Sequence, residues 1–109
     1  GNYIRPADSK PYLVIGEVKY GKPILDRVIT PKVSIGDASR CALISMDSTL
    51  KSDLTVGPPI DFAVIKKDEI KIASLKCLNM NDPEFSKVCN QWSQGIFKIF
   101  DSFQRFDWE

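Results

Sequence analysis

The chain of 109 residues contains no histidine. That absence removes Ser-His-Asp and Cys-His activation of a nucleophile, along with the commonest transition-metal ligand. Any hydrolytic chemistry must then take lysine, an N-terminal amine or a carboxylate as its base. Cysteine is scarce: Cys41, Cys77 and Cys89 are odd in number and widely spaced, which fits neither a disulfide framework nor a paired-cysteine zinc site. Buried thiols in a reducing cytoplasm are the expectation, with no metal and no cofactor.

An excess of either charge is also missing. Fifteen basic residues face fourteen acidic ones and no Lys/Arg run exceeds two, so nothing here attracts nucleic acid. No apolar run approaches the roughly 18 residues that span a bilayer, and the N-terminus lacks a basic segment followed by an apolar one. The reading is a soluble, cytoplasmic chain without a membrane partner. It starts at Gly1 rather than Met, which suggests a processed form or a fragment.

What is present is 43% apolar and 27% charged, the balance of an ordinary globular chain. Residues 12–15 (YLVI) form a β-favouring apolar run that ends at Gly16 and reads as a buried strand. Gly21-Lys22-Pro23 opens a short helix with Ile24, Leu25 and Val28 on one side, and Pro31 ends it. Ser34 then caps a longer helix. Its apolar side is Ile35, Ala38, Ala42, Met46, Leu50 and Leu54, with Asp37, Arg40, Asp47, Ser48 and Lys51 opposite, and Gly57-Pro58-Pro59 stops it.

Residues 60–65 and 70–75 are two β-rich runs whose separation by Lys66-Lys67-Asp68-Glu69 predicts a tight antiparallel hairpin. Asp82 caps and Pro83 opens a last helix, with Phe85, Val88, Cys89, Trp92, Ile96, Ile99, Phe100 and Phe103 on one stripe. Three strands and three helices predict an α/β, or α+β, layered fold, with helices covering one face of a sheet. Consecutive apolar residues in 12–15 and 62–65 ask for burial on both faces, so something outside the chain is expected to cover the second one. No repeat or linker divides the chain, and residues 1–109 read as one domain.

Three stretches invite a chemical reading. Gly16-x-x-x-x-Gly21-Lys22 is not a phosphate loop, because Pro23 stands where the pattern needs Ser or Thr and also removes a backbone donor. Lys66-Lys67-Asp68-Glu69 is a solvated turn. Between residues 47 and 58, carboxylates, hydroxyls and a lysine gather at a helix C-terminus, followed by a glycine that could permit a left-handed turn. Capping and turn formation explain these residue types as well as a site does.

GNYI at the start, YLVIGEVKYGKPILDRVIT at 12–30, CALISMDSTLKSDLTVGPPIDFAVI at 41–65 and DPEFSKVCNQWSQGI at 82–96 together resemble the C-terminal half of the proteasome-type peptidases. KYGKPILDR and the pattern from Ser52 to Asp61 point to the bacterial proteasome-like subfamily called Anbu. The resemblance implies that residues 1–109 are a partial domain, the C-terminal portion of an αββα sandwich of the N-terminal-nucleophile hydrolase type. It implies an endopeptidase mechanism in which an N-terminal threonine hydroxyl attacks a peptide carbonyl with its own α-amine as base. Gly1 is no nucleophile, so that threonine belongs to the missing half and this chain alone is expected to be inactive.

By the same resemblance, Asp53 matches the aspartate after the long helix that helps hold the nucleophile's amine. The serine expected three positions later is replaced by Val56, with Thr55 beside it. Glu17 follows Gly16 where the family pattern has a serine. Asp53, Glu17 and Thr55 are therefore the supporting site residues implied, with peptide as substrate, while Lys22 and Asp26 read as surface or subunit-contact residues. A homo-oligomer, ring or helical, or binding to the missing half, would cover the bare sheet face. The alternative is a non-catalytic self-assembling or binding module of the same fold.

Overall fold

The computed structural model describes residues 3–16 and 18–109. Its elements are α1 (Lys22–Val28), α2 (Ile35–Ser52), β1 (Ile60–Val64), β2 (Ser74–Leu78) and α3 (Pro83–Asp101). The two long helices start where their caps dictate. Ser34 Oγ accepts from Asp37 N at 3.0 Å, and Asp82 Oδ1 accepts from Phe85 N at 2.9 Å, with Pro83 in the first turn where a missing N–H is harmless.

The first helix also begins as expected, for a reason of packing rather than capping. A β-carbon on Gly21 would overlap Ser45 Oγ and sit 3.3 Å from Thr49 Oγ1, so only glycine lets α1 come this close to α2. The second helix is thereby clasped on several sides, and Cys41, Ser45, Asp47 and Thr49 are all buried.

β1 and β2 form a two-stranded antiparallel sheet in the register Ile60↔Leu78 to Val64↔Ser74. Ile60, Leu78, Phe85 and Cys89 make the core, with Leu43, Met46, Leu50 and Phe62 packed against it. Thus α2 and α3 cover one face of the sheet, a mixed α/β arrangement of three helices and two strands among the described residues. The other face is bare: Leu75 and Ala63 pair on it, next to Cys77 and Asp61, and all four are exposed.

Five expectations need correction. Residues 12–15 form no strand and pair with none among the described residues, and Leu13 and Ile15 stand 57% and 97% exposed. β-favouring residues need a neighbouring strand to make a ladder, and the described residues supply none there. The hairpin is not tight: β2 begins at Ser74 rather than Ile70, and residues 65–73 form the connection. Inside that connection Glu69 N bonds Lys66 O at 3.1 Å, and Ala73 N closes onto Val64 O at 2.7 Å. The later register wins because it delivers Leu78 to the core beside Phe85, whereas Ile70 is fully exposed.

The third correction concerns α2, which stops at Ser52, so Leu54 lies beyond it in solvent. Its polar side is not all solvated either, since Asp47 is only 2% exposed because α3 lies over it. The fourth concerns thiols: all three cysteines are free, but only Cys41 and Cys89 are buried. Gly57 does not take the left-handed conformation; among the described glycines Gly16 alone does, at φ +84°.

Candidate functional site

The end of α2 builds the site that the resemblance singles out. Asp53 caps the helix with its backbone N–H on Thr49 O at 2.8 Å, and the chain then turns back on its own side chain. Asp53 Oδ1 accepts from Thr55 Oγ1 at 2.6 Å and from Thr55 N at 2.9 Å, and Val56 N reaches Asp53 O at 3.2 Å. This is an aspartate turn, formed because the carboxylate replaces the helix's next backbone acceptor.

Those two donors hold the Asp53 carboxyl below its ordinary range, and the nearby positive charge of Lys19 lowers it further. The group is therefore an anion at neutral pH, and a carboxylate has acceptor capacity left after two bonds to one oxygen. Lys19 is close enough to Asp53 for its charge to be felt, and Gly21 packs against Ser45 and Thr49 of α2. Lys19 and Gly21 thus lie toward the C-terminal half of α2, whereas a β-carbon on Gly16 would meet nothing within 4 Å. Glu17, the third supporting residue, lies outside the described residues.

Sequence reasoning missed two clusters. Asp26 of α1 gathers three partners: Tyr12 Oη donates to Oδ1, Lys22 Nζ reaches Oδ2 at 2.9 Å, and Lys10 Nζ lies 3.4 Å from Oδ1. The Tyr12 and Lys22 hydrogen bonds, with smaller help from Lys10, pull the Asp26 carboxyl down to about 2. The cluster ties residues 10–12, which turn on a Tyr12 N to Lys10 O bond of 2.8 Å, to α1. The Lys22–Asp26 spacing of one helical turn was its visible signal, while Tyr12 had none.

The second cluster joins α2 to α3. Asp47 Oδ2 lies 3.3 Å from Lys51 Nζ, and Lys51 Nζ donates to Ser93 Oγ at 3.0 Å. Burial first, and then the Asp47 carboxylate, push the Cys89 thiol up to about 11, so it is no nucleophile near neutrality. Among the described residues no group of three Cys, Asp or Glu side chains could hold a metal ion, and no helix is long and apolar enough to cross a membrane.

No family model and no curated protein matches the chain. Solved structures do. Anbu from Hyphomicrobium sp. strain MC1 is 40% identical with a TM-score of 0.91, over 98% of this chain and 46% of that one. Anbu (ancestral beta-subunit) from Yersinia bercovieri is 38% identical with a TM-score of 0.92, over 97% of this chain and 45% of that one. The chain belongs to the Anbu family. A third Anbu structure, the helical assembly of the Anbu complex from Pseudomonas aeruginosa, matches at 38% identity and a TM-score of 0.89, over 96% of this chain and 44% of its own. The chain therefore spans less than half the length of the Anbu proteins it matches, and corresponds to part of an Anbu proteasome-like subunit.

Proposed function

We propose that this chain is the C-terminal part of a proteasome-type subunit whose other part carries an N-terminal threonine, and that the two together form an αββα sandwich that hydrolyses peptide bonds. The observation that carries the proposal is the Asp53–Thr55 turn, a carboxylate held in its charged form and oriented by the two donors of Thr55. In this reading the threonine hydroxyl adds to the peptide carbonyl, and its own α-amine takes the proton. Asp53 accepts a hydrogen bond from that amine when it is charged, and Thr55 fixes the direction in which the carboxylate points. Glu17 stands in sequence where the family pattern has serine, and its carboxylate can accept a hydrogen bond from an ammonium but cannot donate one when ionised. The chain by itself lacks the nucleophile and is inactive.

The bare outer face of the sheet and the unpaired residues 12–15 support the same reading, since a second sheet layer would cover both. A cytoplasmic location agrees with the three free thiols. A second reading, a non-catalytic module that assembles with copies of itself, is favoured by the exposed aromatic residues on α3. The helical assembly of the Anbu complex from Pseudomonas aeruginosa supports self-assembly in either reading.

The test is a fluorogenic-peptide assay on the intact subunit, with and without Asp53→Asn. Loss of about a hundredfold in kcat/KM is expected, with this chain alone showing no turnover. Equal turnover by the variant contradicts the role of Asp53. An intact subunit that neither cleaves peptides nor reacts with an N-terminal-threonine electrophile selects the second reading.

A further inference from the structure

Gly21 has no conformational reason to be glycine. It sits at φ −98°, ψ −32°, a right-handed conformation that alanine adopts readily. What demands glycine is space: a β-carbon there would overlap Ser45 Oγ and lie 3.3 Å from both Ser45 O and Thr49 Oγ1. The residue is buried, and it belongs to a closed turn. Lys22 N bonds Val18 O at 3.2 Å and Leu25 N bonds Gly21 O at 3.4 Å, so residues 18–21 run into α1 as one piece of hydrogen-bonded backbone. Exposed Lys19 rides on that piece, two residues before the contact.

The other side of the contact leads to the carboxylate. Thr49, whose Oγ1 faces Gly21 and donates to Ser45 O at 3.0 Å, gives its own backbone carbonyl to Asp53 N at 2.8 Å. One residue of α2 therefore seats the 18–21 turn and anchors the start of the Asp53–Thr55 turn. The outcome is an exposed cation within reach of the Asp53 carboxylate. Among the described residues Lys19 is the charged group felt there, alongside the two Thr55 donors that do most to hold the carboxylate charged.

We infer that Lys19 is a positioning residue of the Asp53 site, acting through that carboxylate, and that Gly21 holds it in place by seating the 18–21 turn on Ser45 and Thr49. The inference rests on the role proposed for Asp53 and deepens it. In that role the carboxylate holds the nucleophile's α-amine, yet the amine must be neutral to take a proton. A carboxylate alone favours the ammonium, and a lysine ammonium in the same field opposes it. Lys19 thus extends the working range of the base toward lower pH. Removing its charge lets both the amine and Asp53 keep their protons to higher pH, so the two effects have the same sign.

The experiment compares the intact subunit with its Lys19→Gln, Gly21→Ala and Gly21→Ala/Ser45→Ala variants. It reads the pH profile of fluorogenic-peptide cleavage and, in protein isotope-labelled at threonine, the pH titration of the Thr55 amide, which donates to Asp53 and reports its ionisation without turnover. Lys19→Gln and Gly21→Ala are expected to lower kcat/KM on the acid limb by about two- to fivefold, the scale of one exposed ion pair, with the loss shrinking as pH rises. Both should raise the midpoint of the Thr55 titration. Ser45→Ala, which removes the overlapped oxygen, should move Gly21→Ala back toward wild type. A loss by the same factor at every pH, or a Thr55 midpoint that Lys19→Gln leaves in place, overturns the inference. A wild-type subunit without turnover overturns the proposed peptidase instead, and the Thr55 midpoint of the Lys19→Gln variant then decides the inference, whether or not Gly21→Ala folds.

Discussion

Residues 85–92 of α3 lie against α2 and the hairpin, and there Phe85 and Cys89 are buried among Ile60, Leu78, Leu43 and Leu50. From Ile96 onward the same stripe leaves α2 behind, and Phe97, Phe100 and Phe103 stand in solvent. Residue type does not distinguish the two halves. What differs is whether the described residues contain something to pack against, and the same difference separates β1, which has β2, from residues 12–15, which have no partner strand among them. Apolar surface left without a partner marks where the rest of an assembly attaches.

The contrast breaks most visibly at its packed end. Phe85→Ala should destabilise the chain by about 3–5 kcal/mol in urea unfolding, since it empties the most buried large side chain. Phe100→Ala, on the same stripe, should stay within about 0.5 kcal/mol in the same assay. Similar losses for the two would mean that the halves of α3 are not packed differently.

Asp47 tests the polar part of the same interface. Asp47→Ala should cost about 1–3 kcal/mol, because it leaves Lys51 and Ser93 without the buried carboxylate that anchors them. The signal for that role was hidden in the sequence. Asp47 falls on the polar side of α2, and only the arrival of α3 makes that side an interior. The helix caps at Ser34 and Asp82 were legible because they are settled within one turn of chain. The β2 register was not, because it depends on Leu78 reaching Phe85.

The candidate site divides the same way. The Asp53–Thr55 turn is local and its residue types suggested a helix end, but only the family resemblance gave it a chemical role. The Tyr12–Asp26 link joins a loop to a helix, and no periodicity foretells it.

That link gives a smaller, pH-dependent effect. Asp26 has its folded pKa lowered to about 2 from an ordinary 3.8, so the tie is fully present above about pH 4 and is lost as pH falls toward 2. The ring resonances of Tyr12 should report release of the 10–12 segment in that window, and Asp26→Asn should remove the transition. Smallest in energy is the thiol contrast. Exposed Cys77 should react with Ellman's reagent in the native state, whereas Cys41 and Cys89, buried and with raised pKa values, should react only on unfolding.

We propose that residues 12–15 and the bare face of the sheet are completed by the rest of an Anbu-type subunit. Amide hydrogen exchange on the intact subunit tests it most directly at Leu13, Val14 and Ile15. Protection there comparable to that of Phe62 and Ala63 in β1 is the predicted result. Exchange at these three amides as fast as in an open loop would contradict the account.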